Sequence, residues 1–436
     1  MARFPKPAEG SWTEHYPELG TAPVSYTDSC SPEIHELERE AIFKRSWLEV
    51  GRVEQLPRNG SYFTKEIQVA NTSIVVVRDN GGQVRAFYNV CRHRGNKLVW
   101  NDFPREETSG VARQFVCKYH GWRYDLNGAC TFVQQEREFF DLDKARYGLV
   151  PVHCDVWAGF VFVNLDETPR QSLREFLGPM ITALEGYPFD RLTERYGFRA
   201  IVPANWKIFM DALQEQYHAP IVHRSQRPET FDDAMQHGGF EALHYQLDGP
   251  HRMFCSPGIQ PWKLPDDQIK PSERLLRSGL FGSWDDSEVY PATTAVAGTR
   301  PGGHESVGVS LFEIWPNFGI QFWQRGWFHT YHHWPISHDA QIFECNLYFA
   351  PARNASERAA HEMTAVTFKE FALQDDNLIA SIQTTLDAGV LKSYPLGDQE
   401  ILVRHLHKTA RDWVDAYRRE RASNATDEIL ERREAR

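Results

Sequence analysis

Two short segments limit what this chain can fold into more than any other feature: Cys91-Arg92-His93-Arg94-Gly95 and Cys117-Lys118-Tyr119-His120-Gly121-Trp122. Each offers one thiol and one imidazole, and each is flanked by short runs of β-branched and aromatic residues. On two loops of a small β-domain, such a set binds a two-iron cluster, with both Cys on one iron and both His on the other. Neutral imidazoles in place of anionic thiolates leave the reduced state with less uncompensated negative charge. A structural Cys2His2 zinc site is the competing use of four such residues. It commonly spaces its cysteines two to four residues apart, whereas residues 92–116 separate Cys91 from Cys117.

The patterning around these loops predicts a compact all-β domain over residues 45–165, with strands at 48–53, 62–67, 73–78, 83–90, 113–116 and 160–165 separated by turn sequences. Residues 1–44 read as an arm followed by a helix. Ser31 is its N-cap, Pro32 suits its first turn, and Ile34, Leu37, Ala41, Ile42 and Phe43 recur at helical spacing up to Trp47. Residues 166–436 are mixed. Helices are expected over 172–184, 206–218 and 356–386, and strands over 194–202, 307–315, 319–324, 327–334 and 341–350. Residues 224–305 read as long loops with short elements, and 408–436 as a charged helix or frayed end.

With 48 Lys+Arg against 59 Asp+Glu, the net charge of −11 argues against a nucleic-acid backbone as partner. No apolar run is long enough for a membrane span, and the first residues carry no signal-peptide core, so the expected location is cytoplasmic. Seven scattered cysteines suggest no disulfide framework. Cys30, Cys130, Cys154, Cys255 and Cys345 read as packing residues.

A second constellation lies in Asn205-Trp206-Lys207-Ile208-Phe209-Met210-Asp211-Ala212-Leu213-Gln214-Glu215-Gln216-Tyr217-His218-Ala219-Pro220-Ile221-Val222-His223. Five residues along one helix would put the two imidazoles about 140° apart. Pro220 predicts a break between them, which lets both rings reach one point. An electron-transfer cluster needs an acceptor, and two His with one carboxylate form an iron site with open positions for dioxygen. Within 368–386, Asp376 shares a helical face with Phe368, Ala372, Ile379 and Leu386. Asp375 lies on an adjacent apolar stripe with Phe371, Leu378 and Ile382. Periodicity leaves both open. His332 and His333, on alternate faces of a predicted strand, read as structural.

The two loops match the Rieske motif residue for residue. From the Trp47 region to Gln383, the chain resembles the catalytic α subunit of Rieske non-heme iron ring-hydroxylating oxygenases. The stretch linking the loops, including residues 101–110, is longer than in common members. The resemblance implies an α+β fold: an all-β Rieske [2Fe-2S] domain (45–165) and a catalytic domain (166–436) whose antiparallel sheet is flanked by helices in a helix-grip, Bet v1-like arrangement. The 1–44 arm and helix then pack on the catalytic domain. It implies cluster ligands Cys91, His93, Cys117 and His120, and a mononuclear Fe(II) held by His218, His223 and Asp376. It further implies that Glu215 is the acidic bridge to His120 of a neighbouring subunit, within a trimer with or without a small β subunit. Ala212 departs from the pattern, standing where many relatives carry Asn.

The activity so implied is oxygenation of an aromatic or polycyclic hydrophobic compound by mono- or dihydroxylation. A Rieske monooxygenase or demethylase and a non-catalytic Rieske electron carrier are the alternatives. Phe209, Leu213, Ile221 and Val222 are the candidate pocket residues. The chain has no Gly-x-Gly-x-x-Gly fingerprint in a βαβ setting, so its electrons are expected from a ferredoxin or an NAD(P)H-dependent reductase. Arg92, Arg94, Lys97, Arg105, Arg113, Lys118 and Arg123 outnumber the nearby acids and suggest a docking surface for an acidic redox partner.

Overall fold

The computed structural model describes residues 11–103, 105–224, 241–257, 287–305, 307–323 and 326–434. It forms two compact units, one of Phe43–Phe176 and the other of Met1–Ile42 with Leu177–Arg436. No helix among the described residues is long and apolar enough to cross a membrane.

In Phe43–Phe176 the strands are β1 (Trp47–Arg52), β2 (Ser61–Ile67), β3 (Thr72–Arg78), β4 (Val84–Tyr88), β5 (Ser109–Val111), β6 (Phe115–Val116), β7 (Arg123–Tyr124), β8 (Cys130–Phe132), β9 (Pro151–Trp157) and β10 (Phe160–Asn164). An antiparallel sheet runs β1-β10-β9-β4-β3-β2-β5, and β6, β7 and β8 form a second, three-stranded one. Ile74, Val75, Val76 and Val77 are all fully buried, so β3 is covered on both faces. That is why it reads as an unbroken apolar run. The sequence pattern misses β5, β7, β8 and β9. Three of these have only two or three residues, and β9 starts on Pro151 and exposes Pro151, His153 and Asp155.

In the other unit, α1 (Pro32–Glu38) starts as expected, with Ser31 Oγ accepting the Ile34 N–H at 3.2 Å. Beyond Glu38 the α-helix widens into a π-turn over Arg39–Phe43, short of the predicted end. The following elements are α2 (Leu173–Thr182), β11 (Glu194–Val202), α3 (Trp206–Leu213), α4 (Ala219–Val222), β12 (His244–Asp248), β13 (His251–Ser256), β14 (Val309–Ile314), β15 (Phe318–Trp323), β16 (Trp327–Ser337), β17 (Ala340–Phe349), α5 (Ala355–Asp387) and α6 (Ile401–Glu434). Asn205 and Asn354 cap α3 and α5 through their side chains. The sheet is antiparallel throughout, in the order β11-β17-β16-β15-β14-β13-β12. One face carries Trp323, Trp327, Tyr331 and Phe343, in a core shared with Phe209 and Phe368 of the helices.

β12 and β13 lie in the stretch read as loops. All six residues of β13 are buried, including His251 and Arg252, so its polar residues hide a core strand from any alternation rule. The parts of that reading at 225–240 and 258–286 fall outside the described residues. His332 and His333 do take opposite faces. His332 stacks on Phe318 and Trp334, while His333 Nδ1 is 2.9 Å from Gln341 Oε1.

Burial pushes the imidazoles of His333 and His405 down to about 3, against help from Gln341 for the first and the Gly249 carbonyl for the second. Both stay neutral in the fold, whereas the unfolded chain takes up protons below about pH 6.5. The stabilisation is therefore complete above pH 6.5 and is lost as pH falls from there toward 3, at about 1.4 kcal/mol per pH unit for each histidine. Urea unfolding at pH 7 and pH 5 should show this loss, and His333→Gln should make the dependence shallower.

Candidate functional site

The two Cys/His loops close in the same way. The Cys91 N–H donates to the Asn96 carbonyl at 2.8 Å and the Gly95 N–H to the Cys91 carbonyl at 3.0 Å. The Cys117 N–H donates to the Trp122 carbonyl at 2.9 Å and the Gly121 N–H to the Cys117 carbonyl at 3.0 Å. Both glycines sit at φ 70°, a left-handed turn that disfavours residues with a Cβ. Within these matched frames, the His93 and His120 rings lie 4.7 Å apart between centroids, and His93 stacks on Trp122 at 5.0 Å. Cys91 and Cys117 are each 2% exposed. Cys91 Sγ lies 3.3 Å from the Tyr124 hydroxyl, and Asn96 Nδ2 donates to Cys117 Sγ at 3.8 Å. Burial, with Cys117 alongside and the Tyr124 bond opposing, holds the Cys91 thiol above its usual range. His93 Nδ1 is buried with no hydrogen-bond partner among the described residues. Two buried thiols and an imidazole nitrogen without a protein partner fit a cluster ligand set.

The cations near these loops are partly engaged. Lys97 pairs with Glu66 at 2.6 Å, and Lys118 Nζ donates to the Trp100 carbonyl at 2.6 Å while lying over its ring. Arg123 covers Phe132. Arg94 covers Tyr119 and donates to His120 Nε2 at 2.8 Å.

In the other unit α3 stops at Leu213, with Gln214 as C-cap. The Glu215 carboxylate then turns back on its own chain, accepting the backbone N–H groups of Tyr217 and His218. The break thus falls before His218, not between the two imidazoles as the sequence predicts. Pro220 sits in the first turn of α4, a position that favours proline, and His218 and His223 flank this one short helix.

Their Nε2 atoms lie 3.3 Å apart, and Asp375 Oδ1 is 3.6 Å from the first and 3.4 Å from the second. His218 Nδ1 donates to Glu215 Oε1 at 2.5 Å, and His223 Nδ1 to Gln374 Oε1 at 2.8 Å. Each outer nitrogen is fixed by an acceptor, which leaves each Nε2 lone pair directed inward. Burial lifts the Asp375 carboxyl to about 7, with His218 opposing, and lowers the His223 imidazole to about 4. At His218, burial is outweighed by the bond to Glu215 and by the charges of Glu215 and Asp375, so the imidazole sits above its usual value. A buried carboxyl oxygen and two imidazole Nε2 atoms converging on one point fit a divalent cation, whose charge would favour the carboxylate and the neutral imidazoles.

The acid in this group is Asp375, not Asp376. The buried side of α5 runs through Phe368, Phe371, Ala372, Asp375 and Ile379, whereas Leu378 and Ile382 of the supposed Asp375 stripe are 46% and 36% exposed. Asp376, about 100° further round the helix, is half-buried, and its Oδ1 has no hydrogen-bond partner among the described residues.

A cavity of about 120 Å³ abuts His218, His223 and Asp375 and is walled by Phe254, Trp323, Tyr331, Phe343, Phe368 and Phe371. Of the four residues expected to line it, only Leu213 does. Phe209 packs beneath it on His333 and Phe343, and Ile221, on the outer side of α4, is 69% exposed. Val222 is half-buried and lies outside the described lining. The six rings come from strands and a helix far apart in sequence. Strand alternation alone could have placed Trp327 and Tyr331 on one face.

These two centres define an iron oxygenase architecture. The chain belongs to the ring-hydroxylating alpha subunit family: residues 189–416 match Ring hydroxylating alpha subunit (catalytic domain), and residues 46–149 match Rieske [2Fe-2S] domain. Such domains carry a Rieske cluster and a mononuclear iron. The chain is 33% identical over 206 residues to a glycine betaine monooxygenase oxygenase subunit from Chromohalobacter salexigens, covering 47% of this chain and 43% of that one. It is 34% identical over 204 residues to a carnitine monooxygenase oxygenase subunit from Acinetobacter pittii, covering 46% and 51%. These matches span about half the length of the curated relatives. A solved quaternary ammonium Rieske monooxygenase superposes with a TM-score of 0.67 at 20% identity, over 94% of this chain and 99% of that one, and shares the fold.

Proposed function

We propose that the chain is the terminal oxygenase of a monooxygenase system acting on a compact quaternary ammonium compound. His218, His223 and Asp375 hold the mononuclear iron, and Cys91, His93, Cys117 and His120 hold the cluster. The observation that carries the substrate class is the cavity. Six aromatic rings surround a space of about 120 Å³, with no Lys or Arg among its described lining residues. Aromatic faces attract an alkylammonium cation by about 0.5–2 kcal/mol each. The sequence similarity to betaine and carnitine oxygenases supports this reading over the aromatic hydrocarbons expected from the sequence.

When bound, the iron supplies dioxygen activation and the cluster supplies electrons from a ferredoxin or reductase. The protein does the rest. Glu215 fixes the His218 ring and offers a carboxylate for electron entry from the cluster domain of another copy, and Gln374 fixes His223. The rings exclude water and hold the cation with one N-linked carbon toward the open side of the triad. Hydroxylation of that carbon yields a carbinolammonium, which collapses to an amine and a carbonyl compound.

The test is oxygen uptake by the iron-replete protein with a surrogate reductase. Glycine betaine, choline or carnitine is expected to stimulate uptake with matching release of amine and carbonyl product, whereas naphthalene is not. Coupled oxidation of naphthalene with none of the ammonium compounds would overturn the substrate class.

A further inference from the structure

We propose that aromatic side chains behind the cavity form a protective relay. It carries an oxidising equivalent away from the mononuclear site, through Trp323 and Trp327 to Tyr196, when dioxygen or peroxide is reduced there and no substrate is attacked. This inference rests on the mononuclear-site reading but not on the substrate class.

Trp323 lines the cavity together with His218, His223 and Asp375. Across the β15–β16 pair it faces Trp327, with the two indoles nearly parallel at 7° and 5.2 Å between centroids. Trp327 stacks in turn on Phe349 of β17 at 5.1 Å, and Tyr196 of β11 meets Phe349 edge-on at 6.0 Å. Four neighbouring strands thus contribute a continuous row of rings leading from the cavity to a half-buried tyrosine.

Apolar packing accounts for stacked rings, but not for the hydrogen bonds at both ends of the row, of which the one at Tyr196 leads to a base. Trp323 Nε1 donates to His329 Nδ1 at 3.1 Å, and both residues are buried. The Tyr196 hydroxyl donates to Glu194 Oε1 at 2.6 Å. Burial pushes Glu194 up, but bonds from Tyr196, the Ala352 N–H and His361 outweigh it and keep the carboxyl below its ordinary value, so an ionised acceptor lies beside the phenol. Between these ends, Trp327 Nε1 is buried with no hydrogen-bond partner among the described residues, so none of these offers Trp327 a base to trap a radical on it.

The electrons and protons balance. Trp323 gives one electron toward the site while its indole N–H stays hydrogen-bonded to His329 Nδ1, since burial holds that imidazole well below its usual pKa and leaves the proton on the indole. Trp327 refills Trp323. Tyr196 refills Trp327 across Phe349 and passes its phenolic proton to Glu194, becoming a neutral tyrosyl radical. A soluble one-electron reductant such as a thiol or ascorbate restores Tyr196, and the proton returns from Glu194. Two such passes, with two protons from water, reduce one peroxide to two waters.

The experiment uses the holoenzyme with hydrogen peroxide and no substrate, freeze-quenched for EPR and digested for peptide mass spectrometry. The wild type is expected to give a tyrosyl radical that Tyr196→Phe abolishes, with oxidised Trp323 and Trp327 accumulating in that variant while coupled turnover and melting temperature stay unchanged. His218→Ala is expected to give no radical. An unchanged tyrosyl signal in Tyr196→Phe, no radical in the wild type, or an equal signal in His218→Ala would each overturn the relay. None of these outcomes depends on which substrate the enzyme accepts.

Discussion

Asp375→Ala is expected to abolish mononuclear iron binding and turnover together, while Asp376→Ala retains both. Asp375 Oδ1 completes a triangle with the two Nε2 atoms at 3.4 and 3.6 Å, and at 5% exposed its carboxylate has little water to compensate it. Removing it leaves two imidazoles, short of the two-His, one-carboxylate set that iron oxygenases use. Asp376, one residue on, points from a different stripe of the same helix. Iron per chain, measured alongside acid-labile sulfide, separates the two centres: Asp375→Ala should keep its sulfide and lose the iron that exceeds two per cluster. If Asp376→Ala loses that iron instead, the assignment of the acid fails.

The second large effect concerns His93. His93→Cys preserves a ligand but adds an anionic sulfur, so the reduction potential should fall from the roughly −150 to +300 mV range of Cys2His2 clusters toward about −400 mV. His93→Ala should lose the cluster spectrum altogether. The buried, unpartnered Nδ1 is the reason to choose this residue, since in His120 a ring nitrogen already accepts from Arg94. A His93→Cys protein with an unchanged potential would mean that His93 does not touch the cluster.

Much of this was legible before any coordinates. The Cys/His segments and the two imidazoles near Pro220 carry their chemistry in local spacing, and the structure brings His93 beside His120 and His218 beside His223. The choice of acid was not legible, because Asp375 and Asp376 both sit among apolar residues and only the packing of α5 decides which stripe faces inward. The place of the chain break is not legible from Pro220, because a proline reads as a breaker. It starts α4 instead, while Glu215 captures the N–H groups that would have continued α3. The aromatic wall was missed because residues from 254 to 371 contribute to it, and no local period links them. β13 was missed because Arg252 and His251 are fully buried, against the usual behaviour of those residue types.

The twin loops around Cys91 and Cys117 each close through main-chain hydrogen bonds of their own, each around a left-handed glycine. A zinc finger, by contrast, has no shape until its ion arrives. Here each clasp is held by main-chain bonds in which no ligand atom takes part, so stripping the cluster is expected to leave a folded protein that can be refilled with iron and sulfide on the bench. Damage to the cofactor would then be repairable without unfolding the chain.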